Sequence, residues 1–369
     1  MGPVSVSVVT PQSPRALVVC DVALFYAERS GGIRTYLDEK ARFAARTGAF
    51  EHHLVIPGRR EQHTGGRHEL RSLQLAASNG YRLPLGSGAL KETLRVIGPD
   101  VVVLHDPFWR PLSVTREAHR LGAVVVAAHH ASPALNAAGI PGPDAVYLPT
   151  LRRIYQHAYE HVDAVMSMVD TASDSGRIAS LRLRFGLHPA FTPGPAPAGE
   201  HLLYVGRLSL EKQIGDVLCA MALAGWQRPL RLVGDGPARG AIEAQARRLG
   251  VAAQLEFHDF VHSREALARM YREAACVIAP GPHETFGLAV LEAAACGARV
   301  VACACTPAAQ QCHGLVHTFT PKDPRDLARA VERALAEPVD VGAALRLARS
   351  LTWTRVFAAE LSDLRSLLA

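Results

Sequence analysis

Along the chain, short runs of uninterrupted apolar residues alternate with longer stretches in which apolar positions recur every three or four residues. The runs at 16–21 (A-L-V-V-C-D), 53–57, 101–105, 123–128 and 164–168 read as strands buried on both faces, as a parallel sheet requires. Helix-period segments lie between most of them, the first fed by a loop at 25–36. Repeated β–α alternation predicts a doubly wound parallel sheet whose ligands gather at the carboxyl ends of the strands.

The pattern breaks at 185–199 (F-G-L-H-P-A-F-T-P-G-P-A-P-A-G), a Pro/Gly-rich shift that reads as a domain boundary. It resumes at 201–208 (H-L-L-Y-V-G-R-L) and again at 230–237 (L-R-L-V-G-D-G-P), where a strand and glycine turn precede a helix at 238–249 stopped by Gly250. The stretch 279–297 (A-P-G-P-H-E-T-F-G-L-A-V-L-E-A-A-A-C-G) reads as a strand end, a polar elbow and a helix with Leu288, Leu291 and Ala295 on one face, closed by Gly297. A further strand is expected at 299–303, and the segments 323–337 and 353–368 carry the apolar stripes of packed helices. At 369 residues the chain exceeds what one core usually holds, so two domains of about 180 residues are expected.

Composition changes this picture little. Hydrophobic residues make up 49 % of the chain, as in an α/β protein with an Ala-rich helical coat. The net charge of +6 favours anionic ligands or an anionic membrane surface, while no basic and aromatic interleaving points to nucleic acid. Seven cysteines without a framework fit a reducing compartment, and the spacing of Cys303, Cys305, Cys312 and His313 matches no common zinc pattern, so no metal is expected. Residues 1–15 do not read as a signal peptide, and no apolar run is long enough to span a membrane.

The candidate chemistry sits at the predicted strand ends. Glu284 in the elbow and Glu292 in the following helix flank a helix N-terminus that favours anions. Carboxylates repel phosphate but accept from hydroxyls, so the pair suits a ligand carrying both. Arg207 and Lys212, five residues apart across a turn, aim two cations at one spot, and Gly31 with Gly32 opens backbone N–H groups to a ligand. Two strands end in histidine: His105-Asp106 invites general acid or base chemistry or, with Pro107, starts a turn; Phe108 and Trp109 after it read as loop packing or as an apolar acceptor shelf; and the other strand ends in His129-His130. Residues 58–71, with Arg59, Arg60, Arg67 and Arg71, read as a mobile basic loop able to meet an anionic acceptor or lipid head groups.

The segment E-T-F-G-L-A-V-L-E resembles the E-x7-E element of the retaining glycosyltransferase family 4, whose members have the GT-B architecture. The G-R-x4-K at 206–212, the V-G-D-G-P at 233–237 and the Phe-x-Pro at 191–193 resemble further family segments in the right order. The resemblance is strong over 201–301 and looser over 16–193. It implies an α/β fold of two Rossmann-like parallel-sheet domains facing a central cleft. The expected divisions are an acceptor-side domain at 1–190, a nucleotide-sugar-binding domain at 191–352 and a helix at 353–369 returning to the first domain. It implies transfer of a hexosyl residue from a UDP- or GDP-sugar to an acceptor hydroxyl with retention of configuration. The nucleotide-diphospho-sugar is a co-substrate, with no other cofactor.

Carried over residue by residue, the resemblance gives Arg207 and Lys212 to the diphosphate, Glu284 to the sugar hydroxyls and Glu292 to the ribose. It puts Gly206, Gly234, Asp235, Phe286, Gly287 and Leu288 around the donor, and Gly31-Gly32 where phosphates meet acceptor. His130 faces the transferred sugar and diphosphate; His129 takes that place if the register slips by one residue. Residues 306–313 depart from the family's Gly-Gly and acidic pattern. The acceptor is expected to be a membrane lipid or cell-envelope glycan, the location cytoplasmic and peripheral at the inner face of the membrane. A soluble acceptor and a non-catalytic nucleotide-sugar-binding subunit remain open alternatives. A nicotinamide oxidoreductase does not, because 20–32 lacks G-x-G-x-x-G.

Overall fold

The computed structural model describes residues 15–23, 26, 32–74, 82–105, 111–130, 144–168, 178–195, 199–284, 286–312 and 314–369, with the side chains of 144–145 excepted. The first sheet is built outward from β1 (Val18–Ala23), all six of whose residues are buried. The chain continues through α1 (Gly32–Thr47), β2 (Glu51–Gly58), β3 (Gln62–Thr64), β4 (Arg67–Gln74), β5 (Arg82–Pro84), α2 (Gly88–Ile97), β6 (Val101–His105), α3 (Pro111–Arg120), β7 (Val124–His129), α4 (Asp144–Tyr159), β8 (Ala164–Ser167) and β9 (Ala179–Arg182). The strand order is β3-β4-β2-β1-β6-β7-β8-β9, with β5 on β4. Pairings are parallel except those of β3 and β5 with β4. Succession runs to one side of β1 and then to the other, so the carboxyl ends of β1 and β6 border the switch point where such sheets bind ligands.

One expectation fails here. Within 58–71, residues 62–64 and 67–71 are not loop but strand: β3 and β4 form a hairpin around Gly65-Gly66, and β4 lies parallel on β2. Four arginines masked a period-two pattern in which Leu70 and Ser72 turn inward while Arg71 and Leu73 face out. The turn depends on Gly66, at φ 81, where a Cβ would stand 2.6 Å from the His52 carbonyl oxygen. Arg67 is engaged, its guanidinium 5.1 Å from the Tyr26 ring centre and donating to Glu69 at 3.2 Å.

The second sheet follows a crossing segment described at 183–195 and 199–201. It contains β10 (Leu202–Val205), α5 (Ile214–Ala224), β11 (Leu230–Val233), α6 (Arg239–Leu249), β12 (Leu255–His258), α7 (Arg264–Glu273), β13 (Cys276–Ala279), α8 (Leu288–Ala295), β14 (Val300–Cys303), α9 (Pro307–Gln311), β15 (Val316–Phe319) and α10 (Pro324–Ala336). All pairings in the order β12-β11-β10-β13-β14-β15 are parallel. After α11 (Val341–Ser350) comes α12 (Trp353–Ser366), whose N-cap Thr352 accepts from Arg355 N–H. There the chain crosses back: Leu187 and Thr352 form a parallel bridge, and Trp353 covers Gly186 so closely that a Cβ would lie 2.4 Å from its ring. On α12, Phe357 packs against Tyr36 and Phe43 of α1 with ring centres 5.4 and 5.6 Å apart.

Under that packing lies a buried ion cluster. Lys40 on α1, 2 % exposed, holds both Asp21 oxygens at 2.9 and 3.0 Å and Glu360 of α12 at 2.8 Å. Tyr36 donates its hydroxyl to the other Glu360 oxygen, and His52 Nε2 lies 2.6 Å from Asp21. Burial alone would lower the Lys40 ammonium, yet the facing carboxylates of Asp21 and Glu360 push it up to about 12. Removing one member strands buried charge. Lys40→Met is therefore expected to destabilise the fold by about 3–5 kcal/mol, read as a lower urea midpoint. Glu360→Gln, which leaves Tyr36 an acceptor, is expected to cost less.

Candidate active site

In the C-terminal lobe two strand ends are zipped together by backbone. Gly206 N–H donates to Val233 O at 3.0 Å, and Leu208 N–H to Asp235 O at 2.9 Å. The approach is too close for a side chain: at Gly234, with φ 131, a Cβ would fall 2.2 Å from the Gly206 carbonyl oxygen. Tyr204 OH donates to the Arg207 carbonyl at 2.8 Å, fixing the turn from which the exposed Arg207 side chain projects. Asp235 is occupied locally, its carboxylate accepting from Gly236 N–H at 2.7 Å.

A one-turn 3-10 helix, Leu210–Lys212, then delivers Lys212 to the elbow after β13. Lys212 Nζ and Glu284 Oε1 are 2.8 Å apart, with side chains only 19 and 20 % exposed. A Cβ on Gly281 would lie 3.3 Å from Lys212 Cα, so a side chain there would press on the Lys212 backbone. The cation assigned to phosphate and the acid assigned to sugar hydroxyls thus meet directly.

The elbow leads through Phe286 and Gly287 into α8. Gly287 has φ 87, and a Cβ would meet Thr306 at 2.5 Å, which requires glycine at this helix start. Glu292, one turn inside α8, is buried; Tyr271 OH donates to it at 2.9 Å and Arg264 stands 3.8 Å away. Burial pushes its carboxyl up to about 7, against the opposing pull of Arg264 and the Tyr271 hydrogen bond.

The two lobes touch through this element. A Cβ on Gly32 would lie 2.8 Å from Leu288 Cδ1 and 3.6 Å from the Phe185 ring. Phe185 stacks on Phe286 at 4.7 Å between ring centres and faces His130 edge-on at 6.4 Å. Arg264 also donates to Thr35 on α1 at 3.5 Å.

In the N-terminal lobe His130, just past β7, is buried, and its Nε2 lies 2.6 Å from Nδ1 of His105 at the end of β6. His105 Nε2 in turn lies 2.8 Å from Asp21 Oδ1. The half-buried His129 turns the other way, its Nδ1 bonded to the Tyr159 hydroxyl. Burial, then His105 and His129, hold His130 well below the ordinary imidazole range against a weak opposing pull from Asp21. Asp21, Lys40, His52, Tyr36 and Glu360 had drawn no functional expectation; the only trace in the sequence is an acid closing the apolar run at 16–21.

Gly31, Asp106, Phe108, Trp109 and His313 lie outside the described residues. The cysteines within them are free. His157, Glu160 and His161, at the exposed end of α4, have ligand atoms within 4.8 Å of one another and share no residue with this site.

Two parallel-sheet lobes, with cationic and acidic side chains at the strand ends of one and a buried histidine line in the other, have the GT-B architecture. Sucrose-phosphate synthase from Thermosynechococcus elongatus superposes with a TM-score of 0.77 at 19 % identity, covering 95 % of this chain and 99 % of that one. Anabaena HepE in complex with UDP and glucose gives 0.70 at 14 %, covering 95 % and 100 %. Residues 199–337, in the second lobe, match the family model described as glycosyl transferases group 1. The GDP-mannose-dependent alpha-(1-6)-phosphatidylinositol dimannoside mannosyltransferase of Mycobacterium tuberculosis is 29 % identical over 94 % of this chain and 95 % of its own length.

Glu292 generates a pH prediction. A carboxyl raised from 4.5 to about 7 favours the folded state most when neutral, so the stability it allows is full below pH 4.5 and declines until the pH passes about 7. Glu292→Gln, neutral throughout, is expected to gain on the wild type across that window by on the order of 3 kcal/mol, seen by comparing urea midpoints at pH 5 and pH 8.

Proposed function

We propose that the protein transfers a mannosyl unit from GDP-mannose to a hydroxyl of a membrane glycolipid, with retention of configuration. The observation that carries this reading is the mycobacterial match, which runs through both lobes rather than the nucleotide lobe alone. Arg207 and Lys212 neutralise the diphosphate, Glu284 receives sugar hydroxyls beside Lys212, and Glu292 receives the ribose. As the C1–O bond to phosphate breaks, charge builds on the leaving oxygen, which the two cations stabilise. The acceptor oxygen bonds C1 from the same face, and its proton passes to that leaving phosphate. Glu284, engaged by Lys212, is suited to accepting hydroxyl protons in hydrogen bonds rather than to nucleophilic attack.

Peripheral contact with the membrane is supported by Leu73 and Leu85, 59 and 67 % exposed, beside the exposed Arg71 at the β4–β5 edge. Among the described residues no helix is long and apolar enough to cross a bilayer.

With labelled GDP-mannose and membranes, label is expected in the chloroform–methanol extract. Lys212→Ala is expected to lower turnover about a hundredfold or more, and UDP-sugars to give little product. Label confined to water-soluble product, or nucleotide-sugar binding without turnover, would overturn the proposal.

A further inference from the structure

His52, Asp21, His105 and His130 form a row across adjacent elements: β2, β1, the end of β6 and the residue after β7. Each step is short, at 2.6, 2.8 and 2.6 Å, and Asp21, His105 and His130 are buried. The row ends on an atom without a partner: His130 Nδ1 is buried and makes no hydrogen bond among the described residues.

Proton positions along the row follow from its first member. Burial favours a neutral Asp21, but Lys40, with hydrogen bonds from His105 and His52, overrides that and holds the carboxyl well below its ordinary range. An ionised carboxylate only accepts, so His105 Nε2 carries hydrogen and donates to Asp21. If His105 is neutral, its Nδ1 is a lone pair, His130 Nε2–H donates to it, and His130 Nδ1 is bare. If His105 is an imidazolium, its Nδ1–H donates to His130 Nε2, and the proton of His130 is forced onto Nδ1 as a buried N–H without an acceptor. The first arrangement leaves only a lone pair waiting, whereas the second strands a donor and adds a cation beside Lys40.

We propose that Asp21, acting through His105, fixes His130 in the tautomer protonated on Nε2, so that Nδ1 accepts a hydrogen bond from a hydroxyl of the sugar in transit and not from the phosphates. Asp21 and His105 are positioning residues, since neither is the group that meets the sugar. A bare Nδ1 repels phosphate oxygens and is matched by a hydroxyl donor, which divides the labour between the lobes: diphosphate to Arg207 and Lys212, a sugar hydroxyl to His130. The choice of sugar hydroxyl rests on the glycosyl-transfer reading; the tautomer does not.

The test uses the full chain labelled with 15N-histidine, with the His130 resonances identified by their loss in His130→Gln. At pH 7.5 the wild type is expected to show His130 protonated on Nε2 alone; an Nδ1–H tautomer or an imidazolium there overturns the proposal without any assay of activity. His105→Phe removes the acceptor and is expected to release the tautomer. It should lower kcat about tenfold or more while the donor KM stays within about threefold. His105→Gln, whose carbonyl accepts from His130 and whose amide donates to Asp21, is expected to restore the tautomer and most of kcat. A His130 tautomer unmoved by His105→Phe overturns the relay. Correct tautomers in a protein that transfers no sugar would leave the relay standing and remove the glycosyl-transfer reading instead.

Discussion

The structure turns on one buried contact, the ammonium of Lys40 between the carboxylates of Asp21 and Glu360. Burying three charges is expensive, and the attraction offsets the lost hydration only when every remaining lone pair is engaged. Here Tyr36 donates to one Glu360 oxygen while Lys40 faces the other, and His52 and His105 engage Asp21. That requirement explains why α12 returns: Glu360 is supplied by the last helix of the chain, and without it Lys40 would face Asp21 alone. The aromatic layer of Tyr36, Phe43, Trp353 and Phe357 keeps water from the cluster.

The same carboxylate serves the candidate site. Asp21 is shared between an ion pair that holds the chain's end in place and a histidine row that reaches the ligand side of the sheet. Stability and chemistry are thereby linked through one side chain. The linkage is local, since β1, β6 and β7 are adjacent and parallel and bring their carboxyl ends to one edge. Phe185 then joins that edge to the elbow of the other lobe by stacking on Phe286, from within the crossing segment itself.

What could be read from the sequence was local. The buried strands announce themselves as apolar runs, and the elbow at 279–297 carries its glycines, acids and helix stripe within nineteen consecutive positions. Gly287 and Gly234 are required by contacts of their own turns with nearby segments, and their neighbours were recognisable. Lys40 was not legible as a core residue. A lysine in an amphipathic helix normally lies on the solvated face, and only the pairing of positions 21, 40 and 360 reverses that. His105 likewise acquires meaning from strand order, which sets β6 between β1 and β7 and which no periodicity encodes. The hairpin at 62–74 was hidden because arginines that point outward from a strand look, in one dimension, like those of a loop.

The ion pair between Lys212 and Glu284 bears on how the nucleotide lobe can accept so charged a ligand as a diphospho-sugar. An unpaired lysine in a cleft would be strongly hydrated, and an unpaired glutamate beside it would repel phosphate. Paired at 2.8 Å and mostly shielded, the two cancel at distance while each keeps hydrogen-bonding capacity, the ammonium for phosphate oxygens and the carboxylate for hydroxyls. A ligand with only phosphate would have to compete with Glu284 for the lysine, and one with only hydroxyls would have to compete with Lys212 for the acid. A ligand presenting both, at the spacing of a sugar attached to its diphosphate, can engage each partner without parting them. On the proposed reading, the pair would favour the intact donor over its separated halves.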